Sequence, residues 1–282
     1  MAAQTLPNTK NDLISAIVLR ELGAAVNLLP TITDYSALVG KGMKSVSFPK
    51  LDSFTVQDRT FGAAGSEQTL TDSKDTINLD KNKLVLFARD ISDEVQSTID
   101  FLIEGVKRAS SAHGRQIDAD IIAALNAAAG LNINAGVPAA ITADNILEMR
   151  EFLMNGNADM SQVVLAVSPA EEKSMLLLPE FSRYDYRGVG NEPVFSGMIG
   201  AVYGVPVIIN NQIGAQQAYM YEKGGVGFAF QKSPAVDTQK DVKYGVGGEL
   251  VAVDALYGVA ALSLGVNGVG ASESPLIAKL AN

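Results

Sequence analysis

The chain has 282 residues, 47% of them hydrophobic and 19% charged, which is enough for the packed core of one large domain or two small ones. It has no cysteine and a single histidine, His113, so disulfides, thiolate chemistry and multi-histidine metal sites are excluded. The net charge of -9 argues against dedicated nucleic-acid binding, which needs clustered Lys or Arg, and suits a solvated surface kept apart by like charge.

Residues 1–10 are polar. Asp12 to Val26 reads as a helix, because Leu13, Ile14, Ile17, Val18 and Leu22 form an apolar stripe that Pro30 terminates. It is either an ordinary packed helix or an arm that docks on a neighbouring subunit. The run Leu13 to Leu19 is too short to span a bilayer and lacks a basic leader, so a product without a signal peptide is expected.

Lys41 to Phe87 holds short β-favouring pieces at Ser45–Phe48, Phe54–Val56, Thr76–Leu79 and Lys83–Phe87. Between them, Asp58 to Lys74 is poor in large apolar residues and contains Phe61, Gly62 and Gly65. Two strands joined by so long a polar excursion predict a hairpin that leaves the body of the protein. Such a loop finds its contacts on another subunit, which points to an oligomer.

Apolar or small residues then recur at Ile91, Val95, Ile99, Leu102, Val106, Ala109, His113, Ile117, Ile121 and Leu125. Every gap is three or four, one face of a continuous helix over Asp90 to Ala129, roughly 55–60 Å long. Asp90 or Ser92 can cap it, Asp93 and Glu94 suit its positive end, and Gly130 ends it. Ser110, Ser111 and Gly114 weaken its middle. His113 lies on the stripe, where a packed or hydrogen-bonded role is expected.

After a connector, Thr142 starts a helix with Ile146, Met149 and Leu153 on one side and Gly156 past its end. Gln162 to Val167 is a short strand. Ser168-Pro169-Ala170-Glu171 is a capping box with Pro at the first helical position, opening a helix to Leu178. Phe181 to Gly200 is loop-rich. Val202 to Ile209 reads as a strand interrupted by Pro206, hence an edge, and Tyr219–Tyr221 and Val226–Phe230 as further strands. Glu249 to Val259 alternates most regularly and can cover the apolar face of the long helix. The Gly-, Ala- and Ser-rich tail is expected to be loosely held.

No constellation for catalysis stands out. The glycines at 188–190 and 265–270 match no phosphate-binding loop. The acidic groups Asp90-Asp93-Glu94 and Asp118-Asp120 lie on the long helix, where solvated faces are expected. Ser168 is accounted for by capping and lacks a nucleophile elbow.

The order of parts resembles the Hong Kong 97-type major capsid protein of tailed bacteriophages over nearly the whole chain. Lys44–Phe87 matches that family's extended E-loop. Asp90-Ile91-Ser92-Asp93-Glu94, running on to Gln116–Ile122, is similar to its spine helix. Val163–Val167 with Ser168-Pro169-Ala170-Glu171-Glu172 resembles the strand–helix step of its axial domain, Ile199–Ile208 its "G-x-x-x-G-x-P-V" strand, and Asp241 to Val259 its returning peripheral strand.

The resemblance implies an α+β fold with an N-terminal arm (1–40), an E-loop hairpin (41–89), a peripheral domain with the spine helix (90–135), an axial domain (136–225) and return strands with a tail (226–282). It implies a non-enzymatic shell protein without cofactors that assembles with itself into hexamers and pentamers of an icosahedral capsid. Further implied partners are a scaffolding protein, a portal protein and non-specifically contacted double-stranded DNA, with assembly in the host cytoplasm. Subunit contacts are expected at Phe61, Gly62, Gly65 and Lys74 of the E-loop, and at Arg183, Tyr186 and Arg187 of an axial-domain loop. Two alternatives are an encapsulin shell around cargo enzymes and a monomeric β-rich binding or adhesin module, which would run as a small species on gel filtration.

Overall fold

The computed structural model describes residues 16–22, 26–51, 56–59, 61–62, 64–69, 72–90, 101–134, 139–178, 200–244, 248–263 and 276–280. Expectations for Ile91, Ser92, Asp93, Glu94, Val95, Ile99, Arg183, Tyr186 and Arg187 therefore lie outside the described residues.

One long helix joins two sheets. Helix α2 (Phe101–Ala128) is unbroken through Ser110, Ser111 and Gly114, and at 1.5 Å per residue its 28 residues span about 42 Å. Seven members of the sequence stripe, Leu102, Val106, Ala109, His113, Ile117, Ile121 and Leu125, are buried. The first sheet is ordered β1-β10-β11-β4, from Thr33–Asp34, Val226–Lys240, Glu249–Ala261 and Lys81–Arg89. Leu102 and Val106 pack with Val251 and Phe87 of this sheet. Further along, Ile117, Ile121 and Leu125 pack with Ala255, Tyr257 and Phe228, and also with Tyr219, Tyr221 and Ile277 of the second sheet. Alternation on β11 makes this possible, since Val251, Val253, Ala255 and Tyr257 all turn toward the helix side and are buried.

The second sheet is ordered β5-β12-β9-β6-β8-β7, from Leu131–Ile133, Ile277–Leu280, Ala218–Glu222, Val163–Val167, Val205–Ile209 and Ala201–Val202. Its other face is covered by α3 (Ala143–Asn155) and α4 (Pro169–Leu176), through Ile146, Met149, Leu153 and Met175. Thr142 caps α3 with a full capping box on Asn145, and Gly156 follows its end. Ser168 caps α4 by accepting from the Glu171 N–H, but the box does not close. The Glu171 carboxylate instead accepts from the Ile141 N–H at 2.5 Å, tying the entry of α3 to that of α4.

Several elements differ from expectation for identifiable reasons. Val202 to Ile209 is not one interrupted strand. Tyr203 and Gly204 both take positive φ (48° and 81°), which turns the chain through a two-residue hairpin between β7 and β8. Nor is β8 the sheet edge that Pro206 suggests: it lies between β6 and β7, and the proline is tolerated because its pairing is with Ala201 of the short edge strand β7 alone. Strand β10 runs to Lys240, ten residues past Phe230, because pairing with β11 carries its polar half. Val56 is not in a strand.

The expectation of a loosely held tail fails for residues 276–280, while the Gly-, Ala- and Ser-rich stretch 264–275 lies outside the described residues. Strand β12 lies inside the second sheet, parallel to β5 and antiparallel to β9, with Ile277, Ala278 and Leu280 fully buried. Its four residues showed no alternation that could have revealed it. Gly156 makes room for it, since a Cβ there would meet the Leu276 side chain at 2.2 Å.

The N-terminal segment docks on its own chain. Residues 16–22 are helical (α1), with Val18 and Leu22 buried, and Leu28 and Ile32 enter the core beside α2. The buried carboxylate of Asp118 fixes this segment. It accepts from the Asn27 and Leu28 N–H groups at 3.1 and 3.2 Å and from Asn210 Nδ2 at 2.6 Å, so one side chain of α2 holds the N-terminal segment and the end of β8. Burial raises the Asp118 carboxyl above its ordinary range, against the pull of these three donors.

Replacing this carboxylate leaves three donors unpaired, two of them buried. Asp118→Ala is expected to destabilise the subunit by about 3 kcal/mol in urea denaturation. A loss under about 0.5 kcal/mol would show that the hub is not a structural pin.

Candidate assembly surfaces

Strands β2 (Ser45–Leu51) and β3 (Asp72–Asn78) form a separate two-stranded ribbon, paired from Ser45 with Asn78 to Leu51 with Asp72. The fourth β-favouring piece, Lys83–Phe87, takes no part in it. It belongs to β4, which pairs with β11 in the first sheet. The root of the ribbon is built into the body: Ile77 and Leu79 pack with Ala229 and Leu262, and the rings of Tyr35 and Phe48 lie 4.5 Å apart.

Farther out, a polar clamp holds it. Asp75 accepts from the Ser263 N–H at 2.7 Å and from the Ser263 hydroxyl at 2.8 Å. Lys50 donates to the Ser263 hydroxyl at 2.6 Å and lies 3.4 Å from the other Asp75 oxygen. Burial alone would raise the Asp75 carboxyl, but the Ser263 hydrogen bonds and the Lys50 charge outweigh it and hold it below the usual carboxylate range.

Beyond the clamp the described residues bury little of their surface. Every described residue from 56 to 69 is exposed, including Val56 at 97% and Phe61, which is wholly uncovered. Phe61 and Gly62 form a turn in which Gly62 has φ +88°, a conformation glycine adopts without strain. No heavy atom comes within 4 Å of a Cβ placed at Gly62 or Gly65. Ser66 Oγ donates to Gln57 Oε1 across the excursion. Lys74 is exposed and lies on the stalk of the hairpin, so the polar excursion ends before it. It is a ladder residue of β3 opposite Pro49, because alternation turns Ser73, Asp75 and Ile77 toward the body and Lys74 away from it.

The groups that could suggest chemistry are engaged in the fold. A carbonyl can only accept, so His113 Nε2 donates to Val253 O at 3.0 Å, deep between α2 and β11. Asp120 accepts from the Tyr257 hydroxyl at 2.7 Å, with Lys81 and Lys83 3.9 and 3.8 Å away. Burial, then the Asp120 carboxylate, pushes the Tyr257 phenol far above its ordinary range. Burial likewise pushes Tyr221 up to about 12, while its hydroxyl meets that of Thr31 at 2.5 Å. Among the described residues no three side chains are grouped to hold a metal ion, and no helix is long and apolar enough to cross a membrane.

From the sequence alone Asp118 reads as part of a solvated acidic pair. Its position one residue after Ile117 and three before Ile121 puts it at the margin of the buried stripe, and that helical phase was the available signal.

A sequence model of the family described as phage capsid protein matches residues 87–263, which is 177 of the 282 residues. The chain belongs to this phage capsid protein family. Solved structures with the same fold include one from Mycobacterium phage Che8, 17% identical over 89% of each chain with a TM-score of 0.71. The capsid structure of Cyanophage P-SCSP1u is 14% identical over 89% of this chain and 86% of that one, with a TM-score of 0.69. A virus-like particle from Pyrococcus furiosus is 10% identical over 95% and 98%, with a TM-score of 0.59. No curated protein matches in sequence. The fold is the Hong Kong 97-type, and the protein is a shell-forming major capsid protein, a structural component of the virion. The capsid family match makes the encapsulin alternative the weaker reading and leaves the monomeric adhesin reading without support.

The clamp makes the root of the hairpin pH-dependent. The folded pKa of Asp75 is depressed, so its contribution is present above the ordinary carboxylate pKa of about 4 and is lost as pH falls through the folded value. Asp75→Asn should cost about 1 kcal/mol at pH 7 and nothing below the folded pKa. Thermal melts of both proteins across pH 2–7 test this; a cost that does not change with pH would contradict it.

Proposed function

We propose that this capsid protein assembles into hexamers and pentamers of an icosahedral shell around double-stranded DNA. The segment 1–40 serves as the arm, the β2–β3 ribbon with residues 52–71 as the E-loop, α2 with the first sheet as the peripheral domain, and the second sheet with α3 and α4 as the axial domain. The E-loop crosses onto a neighbouring subunit through Phe61, Gly62 and Gly65, with Lys74 on its stalk. Arg183, Tyr186 and Arg187 of the axial-domain loop are further subunit-contact residues.

One observation carries this reading. A ribbon stiffly clamped at its root presents an excursion in which Val56 and Phe61 are bare on the isolated subunit. Burying a phenylalanine side chain is worth about 1.5–3 kcal/mol, so a loop that leaves one uncovered is completed elsewhere. A chain used in rings of five and of six needs contacts that tolerate both, and a glycine-bearing loop on a rigid stalk supplies them.

Membership of the capsid family supports three further partners: a scaffolding protein during assembly in the host cytoplasm, a portal at one vertex, and DNA held without sequence preference. The acidic balance of the chain fits a DNA contact that is weak per subunit.

Phe61→Asp tests the role of the E-loop. Negative-stain electron microscopy should show shells from the unsubstituted chain and none from the variant. The isolated subunit should keep its stability within about 0.5 kcal/mol, since Phe61 covers none of its own core. Normal shells from Phe61→Asp would overturn the assignment.

A further inference from the structure

Two exposed patches of opposite charge lie on different sheets of the chain. The first is the segment that links β1 to β2. Residues 36–45 hold two cations, Lys41 and Lys44, and no carboxylate. Both lysines are exposed and enter no ion pair among the described residues. Leu38 and Met43 beside them are each about half exposed. The segment has a set shape: the Leu38 N–H donates to the Tyr35 carbonyl at 2.9 Å, the Met43 N–H to the Gly40 carbonyl at 3.3 Å, and Gln231 Nε2 to the Met43 carbonyl at 2.6 Å.

The second patch is the outward face of α3. Leu147 and Met154, each about half exposed, lie seven residues apart on it, a separation of about 10 Å along the helix. Asp144, Glu148 and Glu151 stand exposed around them, against one guanidinium, that of Arg150. Leu147, Arg150, Glu151 and Met154 line a shallow hollow of about 370 Å³. The Nε of Arg150 is buried without a hydrogen-bond partner among the described residues, a donor that an incoming carbonyl would satisfy.

Neither patch covers the other within one chain. Phe228 of β10 faces α2, whereas a Cβ at the adjacent Gly227 would meet Ile77 and the Tyr35 ring, so the β1–β2 segment lies on the face of the first sheet turned away from α2. In the second sheet Tyr219 and Tyr221 face α2, and Met220 faces the core under α3. Both patches therefore point outward, on opposite sides of the layer that α2 occupies.

We propose that the β1–β2 segment of one copy docks on the outward face of α3 of a second copy. This rests on the reading of the chain as a subunit of rings and names a contact separate from the E-loop. Lys41 and Lys44 face Asp144, Glu148 and Glu151, and Leu38 and Met43 cover Leu147 and Met154. The backbone carbonyls at Lys41 and Gly42 offer the acceptor that Arg150 Nε lacks. Opposite charge sets the register and rejects the like-charged pairings, while the apolar side chains supply the buried centre. Two different patches in contact form a head-to-tail interface, the kind that closes rings of identical chains.

A charge swap tests the pairing. One chain carries Lys41→Glu with Lys44→Glu, a second carries Glu148→Lys with Glu151→Lys, and a third carries all four. All four side chains are exposed, and circular dichroism melts of the soluble subunits check that each variant folds. Each pair sets like charges together and should lower the yield of sedimenting shells at least about tenfold. The combined chain should return to within about threefold of the unsubstituted one, since the attraction is restored with its sign exchanged. The second measurement reverses no charge. The chain has no cysteine, so chains carrying Met43→Cys and chains carrying Leu147→Cys can be co-assembled and oxidised. A disulfide-linked dimer is expected from the mixture and from neither variant alone.

A pair that assembles normally, or a combined chain no better than the poorer pair, overturns the contact. Loss confined to the α3 pair assigns that face to a different molecule and overturns it equally. Shells that form without the mixed dimer also overturn it and leave the ring reading intact. If the unsubstituted chain forms no shell, the ring reading and this inference fall together.

Discussion

The architecture depends on one apolar stripe. Leu102, Val106, Ala109, His113, Ile117, Ile121 and Leu125 recur every three or four residues along α2, and all are buried. The N-terminal part of the stripe faces the first sheet, and its C-terminal part faces both. The helix is therefore a beam shared by two layers, and whatever bends or interrupts it changes how they are held together. Seven buried positions along one face also explain how Ser110 and Gly114 are tolerated in mid-helix. Ser110 returns its hydroxyl to the Val106 carbonyl at 2.8 Å, and Gly114 is itself buried.

Polar groups in this interior set positions. Asp118 pins the N-terminal segment and the end of β8 to the beam, His113 pins the beam to Val253, and Asp120 pins it to Tyr257. Glu171 does the same between α3 and α4. Each joins elements far apart in sequence, and an unpaired buried partner would be costly. The acidic and histidine side chains that a search for chemistry would single out are the joints of the frame.

Periodic features were legible in the sequence, and features that depend on tertiary partners were not. The stripe on α2, the Thr142 and Ser168 caps and the alternation of β11 each repeat or begin at fixed spacings that backbone geometry imposes. The exposed excursion was legible through what it lacks, a run of large apolar residues. Strand β12 escaped because four residues cannot show a period and its burial comes from the neighbours β5 and β9. Asp118 escaped because a carboxylate beside another on a helix reads as solvated until Asn27, Leu28 and Asn210 are brought to it from some 90 residues away. The end of the excursion is hidden in the sequence because polar residues run on through Lys74 into β3, where pairing with Pro49 and the buried Ile77 sets the register.

A cryo-electron microscopy map of particles formed by the unsubstituted chain tests the central claim, that a rigid beam and a clamped ribbon are completed by copies of the same molecule. The account predicts α2 as one continuous rod in every subunit and the segment between Leu51 and Asp72 crossing onto an adjacent subunit. A map in which that segment folds back onto its own first sheet, or in which residues 101–128 break into separate helices, would contradict it.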